Sequence, residues 1–148
     1  MTDQEILTLI QMPKRVKTSK INWTIKGKHK QCDIDVLSDD SRHAFKLYLR
    51  QNIAYPDSFS CGIRWEKQGS ETLTLMRCNG SDHAHGNPIE GDTFNGKCHI
   101  HLATERYILN GRKPEHYAYP TTAYTDLSGA LLHILAECRV KGLQLPML

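Results

Sequence analysis

Three things are missing from this sequence: a long apolar run, a paired-cysteine motif and a glycine-rich phosphate loop. No stretch approaches the roughly 20 apolar residues that a membrane-spanning helix needs, and the N-terminal MTDQEILTLIQM has acidic residues where a secretory leader has basic ones. A cytoplasmic protein with no membrane partner is expected. The five cysteines, Cys32, Cys61, Cys78, Cys98 and Cys138, are odd in number, widely spaced and never C-x-x-C. They argue against a disulfide framework or a ribbon-type zinc site and for free, mostly buried thiols. The dinucleotide-binding fingerprint, the Walker A loop, H-E-x-x-H, G-x-S-x-G and the deaminase motifs are also absent, which sets those enzyme classes aside. Neither sign of charge dominates: 19 Lys and Arg stand against 16 Asp and Glu, a formal +3. That balance falls short of a domain defined by nucleic-acid binding.

What is present is patterned. At 148 residues the chain is sized for a single domain, 1–148, around one core. Residues 3–11 predict a short amphipathic helix ended by Pro13, and the basic run Lys14, Arg15, Lys17, Lys20 predicts a solvated linker. INWTIKG and QCDIDVLS read as strands joined near Gly27 to Lys30, with Ile21, Trp23 and Ile25 on one face. HAFKLYLRQN follows, with Phe45, Leu47 and Leu49 at alternate positions. FSCGIRWEK and ETLTLMRC form a hairpin about Gln68-Gly69-Ser70, and CHIHLATERYIL is a sixth strand. A closing helix runs over the period Leu127, Leu131, Leu132, Ile134, Leu135 and Cys138, capped by Asp126 or Ser128 and ended at Gly142. The fold class is α+β: a single antiparallel sheet of about six strands packed with an N-terminal and a C-terminal helix.

Between the fifth and sixth strands, residues 79–97 hold four glycines, three asparagines and a proline, a composition that makes a long His-, Gly- and Asn-containing loop. Two His-x-His pairs fall in and beside it, His83 with His85 and His99 with His101. In an extended strand this spacing puts both imidazoles on one face, so each pair can aim at a common point.

The blocks LTLMRCNGSDHAHGNPIEG, KCHIHLATERY and HYAYPTTAYTDLSGALLHIL resemble a family of small, functionally uncharacterised bacterial and phage proteins. In that family an R-x-D/N strand end leads into an H-x-N-P loop, then an H-I-H strand and a late aromatic segment. The resemblance covers residues 37 to 140 and matches Arg77, Asn79, His85, Asn87, Pro88, His99, His101 and Glu105. His83 lies outside it, and the family more often has an acidic residue where Asn79 stands. It implies one compact domain of bacterial or phage origin and no established activity.

Several chemistries suit these residues. His85, His99 and His101, with Glu105, Asp82 or His116 as a fourth group, have the donor types for zinc or another divalent transition metal. Without a metal, His85 and His101 could act as acid and base on a phosphodiester, Glu105 orienting a ring and Arg77 or Arg106 steadying the phosphate. Arg106, Tyr107, Arg112 and Lys113 form a candidate contact for RNA or another single-stranded nucleic acid. In the structural alternative, Asn79, Asn87 and His99 form a polar network that pins the loop over the sheet. The reading adopted is that of a small cytoplasmic bacterial or phage accessory protein that meets a protein partner through this pinned loop. The alternative is a ribonuclease or other phosphodiesterase using His85 and His101, with or without a bound metal. Nothing in the sequence sets an oligomeric state.

Overall fold

The computed structural model describes residues 1–145, so the last three residues of the expected domain lie outside the described residues. The chain runs through α1 (Asp3–Gln11), β1 (Lys14–Val16), β2 (Thr24–Lys26), β3 (His29–Ser38), β4 (Ala44–Asn52), β5 (Phe59–Glu66) and β6 (Thr72–Asn79). It continues through β7 (His85–Asn87), β8 (Asp92–Phe94), β9 (His99–Leu102), α2 (Glu105–Leu109), β10 (Ala118–Pro120), α3 (Leu127–Glu137) and β11 (Val140–Lys141).

Alternation along the four long strands makes the sheet. Cys32, Ile34 and Val36 of β3, Phe45, Leu47 and Leu49 of β4, and Cys61 and Ile63 of β5 lie in register on one face. All are buried, because strand pleating sends every second side chain the same way. Two helices close that face: Ile6, Leu9 and Ile10 of α1 and Leu127, Ala130, Leu131 and Ile134 of α3 join the strand residues in one core. Thr2 caps α1 by accepting the Glu5 amide, and Asp126 caps α3 by accepting the Gly129 amide at 2.8 Å. The five cysteines are free thiols, four of them buried, and burial raises their pKa values.

The α+β class holds, but the sheet is larger than six strands and is not wholly antiparallel. Among the described residues it has nine strands in the order β10-β9-β6-β5-β4-β3-β1-β11, with β2 also paired to β3. β1 and β11 pair in parallel. The extra strands have two or three residues each, too few for a period to show in sequence.

β1 arises inside the basic run expected to be linker, because Lys14 is fully buried. Its ammonium donates to the carbonyls of Ile10 (2.7 Å), Met12 (2.9 Å) and Cys138 (2.8 Å), joining the C-terminal ends of α1 and α3. The sixth strand is cut short at Leu102, since Thr104 accepts the Tyr107 amide and starts α2. Ile25, expected to share one strand face with Ile21 and Trp23, is 72% exposed because β2 lies at the sheet edge. The closing helix stops at Glu137, before Gly142: Arg139 takes a positive φ of 54° and turns the chain into β11.

Candidate functional site

The second face of the sheet is polar. Across it run two rows of strand partners: Asp33, Tyr48, Gly62, Arg77 and His101, then Gln31, Arg50, Ser60, Asn79 and His99. The loop expected at 79–97 folds into the β7–β8 hairpin and covers the His99–His101 end of these rows. His85, His99 and His101 do converge. Ring centroids lie 4.8 Å apart for His85 and His101, 5.1 Å for His99 and His101, and 5.9 Å for His85 and His99. Phe94 and His116 pack against the same group at 5.2 Å from His99 and 5.3 Å from His85.

Hydrogen bonds define the state of each ring. The His99 Nδ1–H donates to Lys97 O (2.9 Å) and the His101 Nδ1–H to Glu115 O (2.8 Å), since a carbonyl only accepts. The His85 Nε2–H donates to Asn87 Oδ1 at 2.9 Å for the same reason. Asn79 Nδ2 reaches His99 Nε2 at 3.4 Å. Burial, reinforced by the Arg77 charge, drives the His101 pKa down to about 3, and burial lowers that of His99. His101 is therefore neutral near pH 7, and an acid–base role is best served by a group that titrates there. Among the described residues no group of three His, Cys, Asp or Glu side chains is disposed to hold a metal ion, and the rings of His85, His99 and His101 pack against one another.

Asn87 is the pin of the loop. It is 1% exposed and its carboxamide makes four hydrogen bonds. Oδ1 accepts from His85 Nε2 and from Ala118 N (3.0 Å), while Nδ2 donates to Ala118 O (2.7 Å) and Asp92 Oδ1 (3.1 Å). β10 pairs with β9 through the neighbouring residues, as in the Leu102 N–H bond to Tyr117 O, so the polar groups of Ala118 face the outer edge. The Asn87 side chain takes both, as one more strand would.

The open half of the polar face is a trough of about 410 Å³ whose lining includes Tyr48, Arg50, Arg77, Asn79, His29 and His83. Asp33, Arg64, Ser60 and Thr74 also face it. Gly62 sets the floor: a Cβ there would run into the Tyr48 Cζ and hydroxyl, so only glycine lets the phenol lie flat across β5 beside Arg77. Arg64 is paired with Glu66 at 3.1 Å and Lys46 with Asp35 at 3.4 Å. Among the described residues Arg50 and Arg77 have no carboxylate within salt-bridge distance. Among the described residues Asn79 Oδ1 is buried without a hydrogen-bond partner.

A sequence profile of one protein family matches residues 1–140. The chain belongs to DUF6978, a family of unknown function. No curated protein and no solved structure matches it.

In this DUF6978 chain the expected site residues separate into groups. His85 and Asn87 of the hairpin form a network with His99, His101 and Asn79 of the sheet, and Arg77 joins the network to the trough. Glu105 does not join them: its backbone amide bonds Asp3 Oδ1 of α1 at 2.8 Å, and its side chain bonds no histidine. The members of the expected nucleic-acid patch, joined by the hydrogen bond of the Arg112 amide to Tyr107 O, are engaged in different ways. Tyr107 is fully buried with its hydroxyl on Glu90 Oε1, and Arg106 is paired with Glu90 Oε2 at 2.6 Å. Arg112 and Lys113 are exposed beyond α2, Arg112 bonding Asn110. Tyr48, Arg50, Gly62 and His29 were missed, because polar positions alternating with Leu47 and Leu49 read as an ordinary solvated strand face. His83 is the histidine of the first pair that lines the trough, with Asp82 Oδ1 3.4 Å from its Nε2.

Proposed function

We propose that the protein is a cytoplasmic accessory protein of bacterial or phage origin that works by binding, its pinned loop walling a trough that seats a phosphate-bearing partner. The observation that carries this reading is the pair Arg50 and Arg77. The two guanidinium groups come from strands two apart, line one cavity and lack carboxylate partners among the described residues. Guanidinium donors match phosphate oxygens in pairs, and a concave floor strengthens their field over that of scattered surface charges. Cleavage through His85 and His101 has less support, because His101 is 5% exposed beneath the hairpin and stays neutral.

Pyrophosphate is a suitable probe, read by titration calorimetry and by thermal shift. Ligand at about 100 times its Kd should stabilise the fold by about 2.7 kcal/mol. Arg77→Ala and Arg50→Ala should each weaken binding about tenfold, the effect of losing roughly 1.4 kcal/mol, while melting like the parent in buffer. Gly62→Ala should weaken binding by displacing Tyr48. No heat or shift at millimolar pyrophosphate, or equal binding by both arginine variants and the parent, would sink the reading.

A further inference from the structure

Three features of the trough are not explained by a phosphate alone. The first is Asn79 Oδ1, an acceptor without a partner among the described residues that is closed to solvent on a trough-lining side chain, so that a ligand donor reaches it only as the amide turns toward the trough. A phosphodiester has no N–H or O–H to offer it, whereas a base amine or a ribose hydroxyl has.

The second is the end of the trough formed by His29, Gln51 and Ser58. The β4–β5 turn is built onto this end: Asn52 Oδ1 accepts from the amides of Ala54 (2.9 Å) and Tyr55 (3.0 Å), and the Ser58 amide donates to Tyr55 O (2.9 Å). Gln51 Nε2 donates to Pro56 O at 3.0 Å. On this braced turn Tyr55 is 72% exposed and Ile53 52% exposed.

The third is the basic character of the adjoining hairpin. Lys26 is the strand partner of His29 and so lies on the trough face, and Lys28 O accepts the Ile53 amide at 2.9 Å. Residues 14–30 contain seven Lys and Arg and no Asp or Glu. Asp33 is the acidic group among the trough residues. A line of cations therefore crosses the sheet from Arg77 on β6 through Arg50 on β4 to Lys26 on β2. Four strand spacings at about 4.8 Å give it a length of roughly 19 Å. That suits the short end of single-strand sites, about 4 nucleotides, where a charged groove follows the backbone and an aromatic ring takes a base.

We propose that the trough ligand is single-stranded nucleic acid, its phosphates along Arg77, Arg50 and Lys26, a base on Tyr55 and a donor group on Asn79 Oδ1. This rests on the anion-binding reading and names its substrate. A paired duplex buries its base faces and cannot stack one on Tyr55, so single strands are preferred.

The test is fluorescence anisotropy of a labelled mixed-sequence 12-nucleotide RNA, the matching DNA and the matching duplex, at low and moderate salt. The parent should bind the single strands, tighter at low salt, and the duplex at least about tenfold more weakly. Tyr55→Ala, at an exposed position that leaves the fold intact, should weaken single-strand binding about fivefold or more, the low end for a lost base stack, and leave pyrophosphate binding unchanged. RNA binding well above DNA binding would assign the Asn79 contact to a ribose hydroxyl; equal binding would assign it to a base. The proposal is overturned if pyrophosphate binds and neither strand does, if the duplex binds as tightly as the strands, or if Tyr55→Ala matches the parent. Failure of pyrophosphate itself would overturn the anion-binding reading beneath it.

Discussion

Replacing Asn87 by alanine is the sharpest probe of how the loop is held. The substitution removes four hydrogen bonds and leaves both polar groups of Ala118, a residue with 0% exposure, without partners at the sheet edge. An orphaned buried group costs about 1–3 kcal/mol, so two give roughly 2–6 kcal/mol before relaxation. Water entering the vacated space of an edge strand lowers that, and about 2–4 kcal/mol is expected. For a chain of this size the melting temperature should fall by about 5–15 °C. Asn87→Asp separates geometry from chemistry. It keeps an acceptor for the Ala118 N–H but sets a carboxylate oxygen against Ala118 O and the Asp92 carboxylate, so it should lose at least as much at neutral pH and recover part on acidification. Urea unfolding measures the cost, and hydrogen exchange at the Ala118 amide with limited proteolysis across 79–97 locates it. A variant within about 0.5 kcal/mol of the parent, the range of an ordinary surface change, with unaltered proteolysis, would refute the pinning argument.

Two further outcomes follow from buried titratable groups. Lys14→Met should destabilise the fold by about 3–5 kcal/mol in urea, because it strands three carbonyls at the ends of two helices; a loss under about 1 kcal/mol would show that these carbonyls find other donors. His101 has a folded pKa of about 3 against 6.5 in the unfolded chain, so the unfolded state takes up the proton first as pH falls. The stability this group supplies at neutral pH should then be lost between about pH 6.5 and pH 3, up to about 5 kcal/mol in all. His101→Gln should lack that part of the acid slope, and parallel loss in parent and variant from pH 7 to pH 4 would count against it.

The long strands were legible because each has enough residues to display a period of two, and α1 and α3 because a cap and an apolar stripe coincide. β1 and β11 were not, because their pairing is fixed by Lys14, whose charge reads as solvent-facing until the helix ends that neutralise it are brought together. The histidine cluster was legible in part. The spacing of His99 and His101 put both rings on one face, and the Asn87-Pro88 turn marked His85. Which ring nitrogen is occupied depends on Lys97 O, Glu115 O and Asn87 Oδ1, contacts from distant segments that spacing does not encode.

The two His-x-His pairs therefore do different work despite identical spacing. The hairpin closes only the β9 end of the polar sheet face, and a closed polar surface must satisfy its own donors and acceptors. Imidazoles suit that task, since each can donate from one nitrogen and pack as an apolar ring. His85 does this from the hairpin itself, and His99 and His101 do it beneath it. Where the hairpin stops, the same face continues as Arg77, Tyr48 and Arg50 with no cover, and Asn79 spans the boundary with one amide atom on His99 and the other unpaired. The signal that was easiest to see in the sequence thus marks the scaffold of the site, and the groups left open to a ligand are the arginines and the tyrosine on the strands beside it.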